Sequence, residues 1–211
     1  GLSMTSSFGA IMGWMPDRQA AARVAEETLA RLEHLDAERH LTLLSRASIA
    51  NMKGDWDALL LVGDTLVERF PNEPTSHHHR CSALLNLGRF EQSLPACQRA
   101  IRISPRDSRT AIWFGLISMD YYLLGRYPEA VLNARRAVTA NAKLSGYWMV
   151  LAAALARDQR RAEGEAVLKA FLQDHPGFES ARVVEMFRGV GPDYERGLKD
   201  MMAALHEMGL P

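Results

Sequence analysis

Residues 87–105 read LGRFEQSLPACQRAIRISP, and residues 124–142 read LGRYPEAVLNARRAVTANA. Both stretches begin with Leu-Gly-Arg and an aromatic residue, and both carry alanine at their fourteenth position. A glycine that ends one helix, followed by an amphipathic second helix, is the pattern of a helical hairpin. Because the same pattern recurs 37 residues later, the chain is predicted to contain repeated hairpins.

Five sequence positions recur in four units, at steps of 34, 37 and 34 residues. They are the turn (Gly54, Gly88, Gly125, Gln159), an aromatic residue two places later (Trp56, Phe90, Tyr127, with Arg161 as the exception), a small or aliphatic residue (Leu59, Ser93, Ala130, Gly164), a position near the end of the second helix (Leu66, Ala100, Ala137, Phe171) and the residue that stops it (Pro71, Pro105, Ala142, Pro176). The three extra residues of the third unit predict a longer first helix there. Five positions in one register indicate a true repeat.

Each predicted hairpin has an apolar face that is too small to be stable alone, so neighbouring hairpins must stack to bury it. Small residues in the first helices predict that the two helices of each unit approach closely (Ala47, Cys81, Gly115, Ala152). The sequence therefore predicts an all-α fold, an α-α superhelix of about five hairpins with a C-terminal capping hairpin. Its expected parts are a degenerate N-terminal hairpin (1–39), repeats within 40–177 (40–73, 74–107, 108–144, 145–177) and capping helices (178–211).

The quoted stretches resemble tetratricopeptide repeats, and the resemblance covers roughly residues 40–177. Leu59, Gly164 and Ala142 depart from the family's pattern. The resemblance implies a non-catalytic scaffold that binds a protein or peptide segment in a concave groove lined by the first helix of each unit. Residues 178–211 end in Gly-Leu-Pro and are similar to the C-terminal regions of bacterial multidomain signalling proteins. That second likeness implies an alternative function, a regulatory or dimerisation module controlling an attached output domain such as a nucleotide cyclase or a winged-helix regulator.

The family pattern nominates ten groove residues on the first helices: Leu44, Ser48, Asn51, His78, Ser82, Asn86, Arg109, Trp113, Met149 and Arg157. Trp113 is the predicted apolar anchor and Arg109 the predicted polar anchor, because aromatic residues and arginine are enriched at binding hot spots. The alternative interpretation of Trp113 is core packing in a central unit. The chain's own last helix, which carries Met201 and Leu205 on one face, is a second candidate occupant of the groove.

Charge and composition limit the other function classes. Lys plus Arg and Asp plus Glu both number 25, and this balance disfavours nucleic-acid binding, which uses a basic excess or a basic face. The local cluster of Arg157, Arg160 and Arg161 is the strongest candidate for such a face. No apolar run is long enough to span a membrane. No nucleophile–base arrangement or phosphate-binding loop is present, so neither an enzyme nor a cofactor is predicted.

Two cysteines and a run of three histidines are candidates for a disulfide bond or a metal site. Cys81 and Cys97 show no disulfide-framework spacing, so both are predicted to be buried free thiols in a reducing, cytoplasmic setting. His77 and Cys81 stand four residues apart, a spacing that two metal ligands on one helix could use. The preferred interpretation of residues 77–79 is one buried histidine and two that face the groove or solvent, with no metal.

Overall fold

The computed structural model describes residues 23–27, 29–30 and 39–211. From residue 39 onward the described chain forms α-helices and short connections, without strands. The helices are α1 (His40–Lys53), α2 (Trp56–Arg69), α3 (Pro74–Asn86), α4 (Phe90–Ile103), α5 (Thr110–Leu123), α6 (Tyr127–Ala140), α7 (Ser145–Arg157), α8 (Arg161–Asp174), α9 (Ser180–Met186) and α10 (Pro192–Glu207). The expected hairpin at 1–39 lies mostly outside the described residues.

The helices stack as successive antiparallel pairs. From α1 to α8, each helix packs against the next one along the chain. The first helices of neighbouring units also touch, α1 with α3, α3 with α5, and α5 with α7, so these four helices line one face of the stack. The second helices α2, α4, α6 and α8 form the outer layer. The prediction of an all-helical α-α superhelix is confirmed.

The turn between the two helices of a unit takes the same backbone conformation in all four units. Gly54, Gly88 and Gly125 have φ of 72°, 74° and 71°, and Gln159 has φ of 60°. Glycine is favoured in this left-handed region because it has no Cβ. Gln159 is the one non-glycine residue with positive φ in the described chain. Its conformation shows that the stacking of the fourth unit imposes the turn even where glycine is missing.

The third unit is longer mainly in its entry loop. Helix α5 has 14 residues, as α1 does, whereas residues 104–109 form a connection of six residues in place of the four at 70–73. The prediction of a longer first helix is therefore wrong. A loop accommodates extra residues at small entropic cost, and Asp107 closes this one by accepting a hydrogen bond from the Arg109 backbone N–H at 2.8 Å.

Gly115 allows the next unit to pack closely against α5, and it does not lie between the two helices of its own hairpin. A Cβ on Gly115 would lie 2.1 Å from Cζ of Tyr147, in the next unit. Ser118, which is fully buried, keeps the 34, 37, 34 spacing with Ala47, Cys81 and Ala152. The assignment of Gly115 to the small-residue position is thus corrected to Ser118.

Cys81 and Cys97 form a disulfide bond. They lie on α3 and α4 of one hairpin, with their Cα atoms 5.3 Å apart, because the small residues bring these two helices close together. The prediction of two free thiols is wrong.

A buried carboxyl group lies next to this disulfide. Asp120 is fully buried, and its Oδ2 lies 2.7 Å from Ser93 Oγ, which is also 3.1 Å from the Cys81 carbonyl oxygen. The single hydroxyl hydrogen of Ser93 can serve only one of these two acceptors. A protonated Asp120 resolves the conflict, because it donates to Ser93 while Ser93 donates to Cys81. Burial correspondingly raises the pKa of Asp120 well above its usual value, an effect that the Ser93 hydrogen bond opposes.

Asp120→Asn is expected to stabilise the fold at pH 8 relative to the wild type. The wild-type carboxyl binds a proton in the folded state but not in the unfolded state, so wild-type stability falls as the pH rises above the unfolded pKa. Between the unfolded and the folded pKa of Asp120, the difference in free energy of unfolding between variant and wild type should grow by about 1.4 kcal/mol per pH unit. The difference should shrink towards pH 4. Urea unfolding at pH 5 and pH 8 measures it. The exposed Asp174→Asn is the control, and a pH-independent difference would contradict the prediction.

Candidate interaction surface

The face formed by the first helices is covered by the chain's own C-terminal segment, residues 178–211. Helix α10 packs against α5 and α7, and α9 packs against α7. The segment is closed at its end by a hydrogen bond from the Ser180 backbone N–H to the Pro211 carbonyl oxygen, at 2.7 Å. The last helix was one of two candidate occupants of the groove, and it is the occupant in this structure.

An apolar face of α10 provides most of this contact. Tyr194, Met201 and Leu205 are 1%, 0% and 0% exposed and belong to the same core cluster as residues of α7. Their spacing of seven and four residues places them along one side of a helix. Gly189 allows the chain to pass close to the Tyr194 ring, since a Cβ there would lie 2.2 Å from a ring carbon.

Asp200 fixes the position of α10 by polar contacts. Tyr122 of α5 donates its hydroxyl to Asp200 Oδ2 at 2.7 Å, and Arg157 of α7 forms an ion pair with Asp200 at 2.8 Å. Arg157 also donates to the Asp200 carbonyl oxygen at 3.1 Å. The hydrogen bond with Asp200 raises the pKa of the Arg157 guanidinium, and burial raises the pKa of the Tyr122 phenol. One carboxylate therefore joins α10 to two units of the stack.

The connection between α9 and α10 reaches the first unit. Trp56 Nε1 donates to the Arg188 carbonyl oxygen at 3.1 Å. The Arg188 guanidinium donates to the carbonyl oxygens of Asn51 and Met52, both at 3.3 Å, and lies 5.9 Å from the Trp56 ring. The Val190 backbone N–H donates to the Asn86 carbonyl oxygen at 2.7 Å. The C-terminal segment thus contacts the stack from α1 to α7.

The ten predicted groove residues fall into three groups. Asn51, Asn86 and Arg157 contact the C-terminal segment, as described above. Five others are buried: Leu44, Ser48, Ser82, Trp113 and Met149. His78 and Arg109 are half-buried. Tyr122, Arg188 and Asp200 were not predicted, because helical periodicity identifies a buried face without identifying the distant segment that covers it.

The two predicted anchors are engaged inside the molecule. Trp113 is 0% exposed, so it presents no surface to a partner, and the alternative interpretation as a core residue describes its position. Arg109 lies 5.6 Å from the Trp113 ring and pairs with Asp107 at 2.6 Å. The Arg109 hydrogen bond lowers the pKa of the Asp107 carboxyl. An incoming carboxylate would have to compete with this pair.

The histidine run is largely buried. His77 and His79 are buried and His78 is half-buried, which corrects the expectation of a single buried histidine. Burial, reinforced by Arg109, lowers the pKa of His78 to about 4, and burial also lowers the pKa of His79 well below its usual value. His77 Nε2 lies 2.8 Å from the Pro71 carbonyl oxygen, and Cys81 is in the disulfide. Within the described ranges, no group of three or more His, Cys, Asp or Glu residues could hold a metal ion.

The arginine cluster at the end of α7 is neutralised by carboxylates. Arg157 pairs with Asp200, Arg160 pairs with Glu163, and Arg161 pairs with Glu165. These contacts leave no cluster of unpaired guanidinium groups for a phosphate backbone. Among the helices that the structure describes, none combines the length and the apolar character that crossing a membrane requires.

Comparison with solved structures identifies the architecture. TTC0263, a thermophilic TPR protein of Thermus thermophilus, matches with 19% identity and a TM-score of 0.66, over 93% of this chain and 99% of that chain. YrrB, described as a TPR protein with an unusual peptide-binding site, matches with 13% identity and a TM-score of 0.59, over 86% and 92%. The fold is a tetratricopeptide-type solenoid.

A third solved structure has a similar fold over a smaller part of this chain. MamA from Desulfovibrio magneticus RS-1 matches with 17% identity and a TM-score of 0.58, over 74% of this chain and 84% of that chain. No protein-family model matches the sequence, and no curated protein matches it. At these identities the likeness shows the fold, and function is argued from the surface of this tetratricopeptide-type stack.

Proposed function

We propose that this chain is a non-catalytic protein-interaction module whose concave face is closed by its own C-terminal segment. The observation that carries the proposal is the contact of residues 178–211 with the first helices of the stack, through buried α10 side chains and the Asp200 contacts. A groove that is already filled favours the regulatory or dimerisation module over an open peptide receptor. Partners then meet the outer helices, α2, α4, α6 and α8.

The wider setting is also a proposal. The resemblance of the C-terminal region to bacterial signalling proteins supports a role in controlling an attached output domain, such as a nucleotide cyclase or a regulator of winged-helix type. A cytoplasmic location and a homodimer fit that role, although the disulfide bond counts against a reducing compartment.

A receptor with an open groove is the second candidate function. The unusual peptide-binding site for which YrrB is described supports it, because a peptide helix in a groove is a recurring recognition mode. Here an outside helix would have to displace α10 and replace the Tyr122 and Arg157 contacts with Asp200. Displacement of an intramolecular occupant lowers the apparent affinity of any such partner.

Asp200→Ala is expected to loosen α10 without unfolding the stack. Loss of charge-assisted hydrogen bonds at a partly exposed site costs about 1–2 kcal/mol, so hydrogen exchange of the α10 amides should accelerate about 10-fold. Exchange in α4 and α6 should not change. Lys199→Ala, at the neighbouring exposed position, is the matched control. Equal exchange in both variants would show that α10 is not held by Asp200.

Cross-linking to captured partners distinguishes the two candidate functions. Cross-links that spare α7, with capture unaffected by Asp200→Ala, would support the closed module. Cross-links to α7, which α9 and α10 cover, with capture increased by Asp200→Ala, would instead make the concave groove the receptor site. A chain that captures no partner in either form would contradict the interaction function itself.

A further inference from the structure

The outer side of the stack carries an apolar cleft between α4, α5 and α6. Its volume is about 380 Å³, and an adjoining hollow of about 420 Å³ shares Phe114, Leu132 and Arg136 with it. Ile101 and Ile117 add to the apolar lining. No residue of the C-terminal segment lines either space, so the segment that closes the concave face leaves this surface uncovered.

Leu132 is the most exposed apolar residue of this cleft. Its exposed fraction is 50%, although it lies on a helix whose other apolar residues Val131, Ala134 and Val138 are buried. Phe114 is half-buried beside it. A half-open aromatic ring next to an exposed leucine is the kind of apolar patch that marks a contact site.

The rim of the cleft is positively charged without internal compensation. Arg102 and Arg136 line the cleft, are exposed, and have no carboxylate within ion-pair distance in the described part of the chain. Glu129 also lines the cleft, but it is paired with Arg126. Arg135, at the edge of the adjoining hollow, is paired with Glu163. Two guanidinium groups without an ion pair therefore lie at the cleft, and one of them, Arg136, lies 5.5 Å from the Phe114 ring.

We propose that this cleft binds an acidic segment of a partner protein that inserts one aromatic or aliphatic side chain between Phe114 and Leu132. This inference rests on the proposed interaction function and names its binding surface. Two guanidinium groups that lie beside an apolar floor match a peptide with carboxylates on both sides of an apolar anchor. A nucleic acid matches less well, because two phosphate contacts supply little affinity and the floor offers no further cations.

Fluorescence anisotropy with designed peptides tests the cleft. The probe is a fluorescein-labelled helical 12-residue peptide that carries phenylalanine and leucine flanked by glutamates. One control peptide has lysines in place of the glutamates, and a second has alanines in place of the apolar pair. The 211-residue chain is expected to bind the acidic peptide at least 10-fold more tightly than either control, with affinity that falls as salt is raised.

Variants of the cleft provide the decisive comparison. Leu132→Asp and Arg136→Glu should each weaken binding of the acidic peptide at least 10-fold. The matched controls are Leu61→Asp, at a position that is 71% exposed on α2, and Arg89→Glu, an exposed arginine that does not line the cleft. They introduce the same charge changes elsewhere and should leave binding unchanged. Because the substituted side chains are exposed, unchanged thermal midpoints should confirm that all four variants fold.

Three outcomes would overturn the inference. They are equal affinities in cleft and control variants, loss of α10 hydrogen-exchange protection when the peptide binds, and a concentration-dependent dimer that Leu132→Asp abolishes. The second would place the peptide in the concave groove, and the third would make a second copy of the chain the occupant. Failure of the peptide alone would leave the proposed function standing if partner cross-links still map to other outer helices.

Discussion

Trp113→Ala is expected to lower the free energy of unfolding by about 3–5 kcal/mol, the cost of removing a large aromatic side chain from a packed core. Trp113 is 0% exposed in the central α5 helix. Its Nε1 has no hydrogen-bond partner, so no hydrogen bond is lost, and most of the predicted cost comes from the cavity. Urea unfolding followed by circular dichroism measures it.

Trp148→Ala is the matched control for this prediction. Trp148 is only half-buried, and its Nε1 donates to the Ala142 carbonyl oxygen at 2.9 Å. Its replacement should lower the free energy of unfolding by about 1–2 kcal/mol, because a partly buried side chain and one hydrogen bond are lost. If Trp113→Ala left stability unchanged but weakened capture of a partner, the core position of Trp113 would be refuted and its role as a groove anchor restored.

Loss of the Cys81–Cys97 disulfide is expected to destabilise the fold by about 3 kcal/mol. The bond joins residues 16 apart in sequence, and closing a loop of this length restricts the unfolded chain by about that amount. Urea unfolding of the wild type with and without a reductant measures the change. The effect should appear as a lower midpoint in a single transition, because the bond lies in the interior of the stack.

A double variant, Cys81→Ala with Cys97→Ala, separates the bond from the reductant. Alanine is small enough for both positions, which are fully buried, so the variant should fold with a stability close to that of the reduced wild type. Its unfolding midpoint should not respond to reductant. An oxidised wild type that is no more stable than this variant would show that the bond does not constrain the unfolded state.

The repeat in the sequence was enough to predict the stack. Each unit contacts mainly its neighbours, so its turns, its helix ends and its apolar stripe repeat at fixed spacing. The turn conformation at Gly54, Gly88 and Gly125 follows from this local pattern. The resemblance to tetratricopeptide repeats nominated Asn51, Asn86 and Arg157 as groove positions, and these residues contact the C-terminal segment.

Four features were decided only by the tertiary structure. Cys81 meets Cys97 through the packing of α3 on α4, and burial beside Ser93 raises the pKa of Asp120. The helix of Trp113 is apolar on several sides, so its sequence has no periodicity that shows which side faces a neighbouring helix. Only the packing shows that Trp113 lies on a buried side. Arg188 reaches the Asn51 carbonyl oxygen across 137 residues of sequence.

The physical reason for this division is the range of the interactions. Helices, turns and stacking depend on residues within one or two repeats, so they leave a period that can be read along the chain. Closure of the concave face depends on the fit of one non-repeated segment, residues 178–211, to several units at once. That fit is a matter of shape and of single contacts such as Asp200 with Tyr122 and Arg157, and it leaves no period in the sequence.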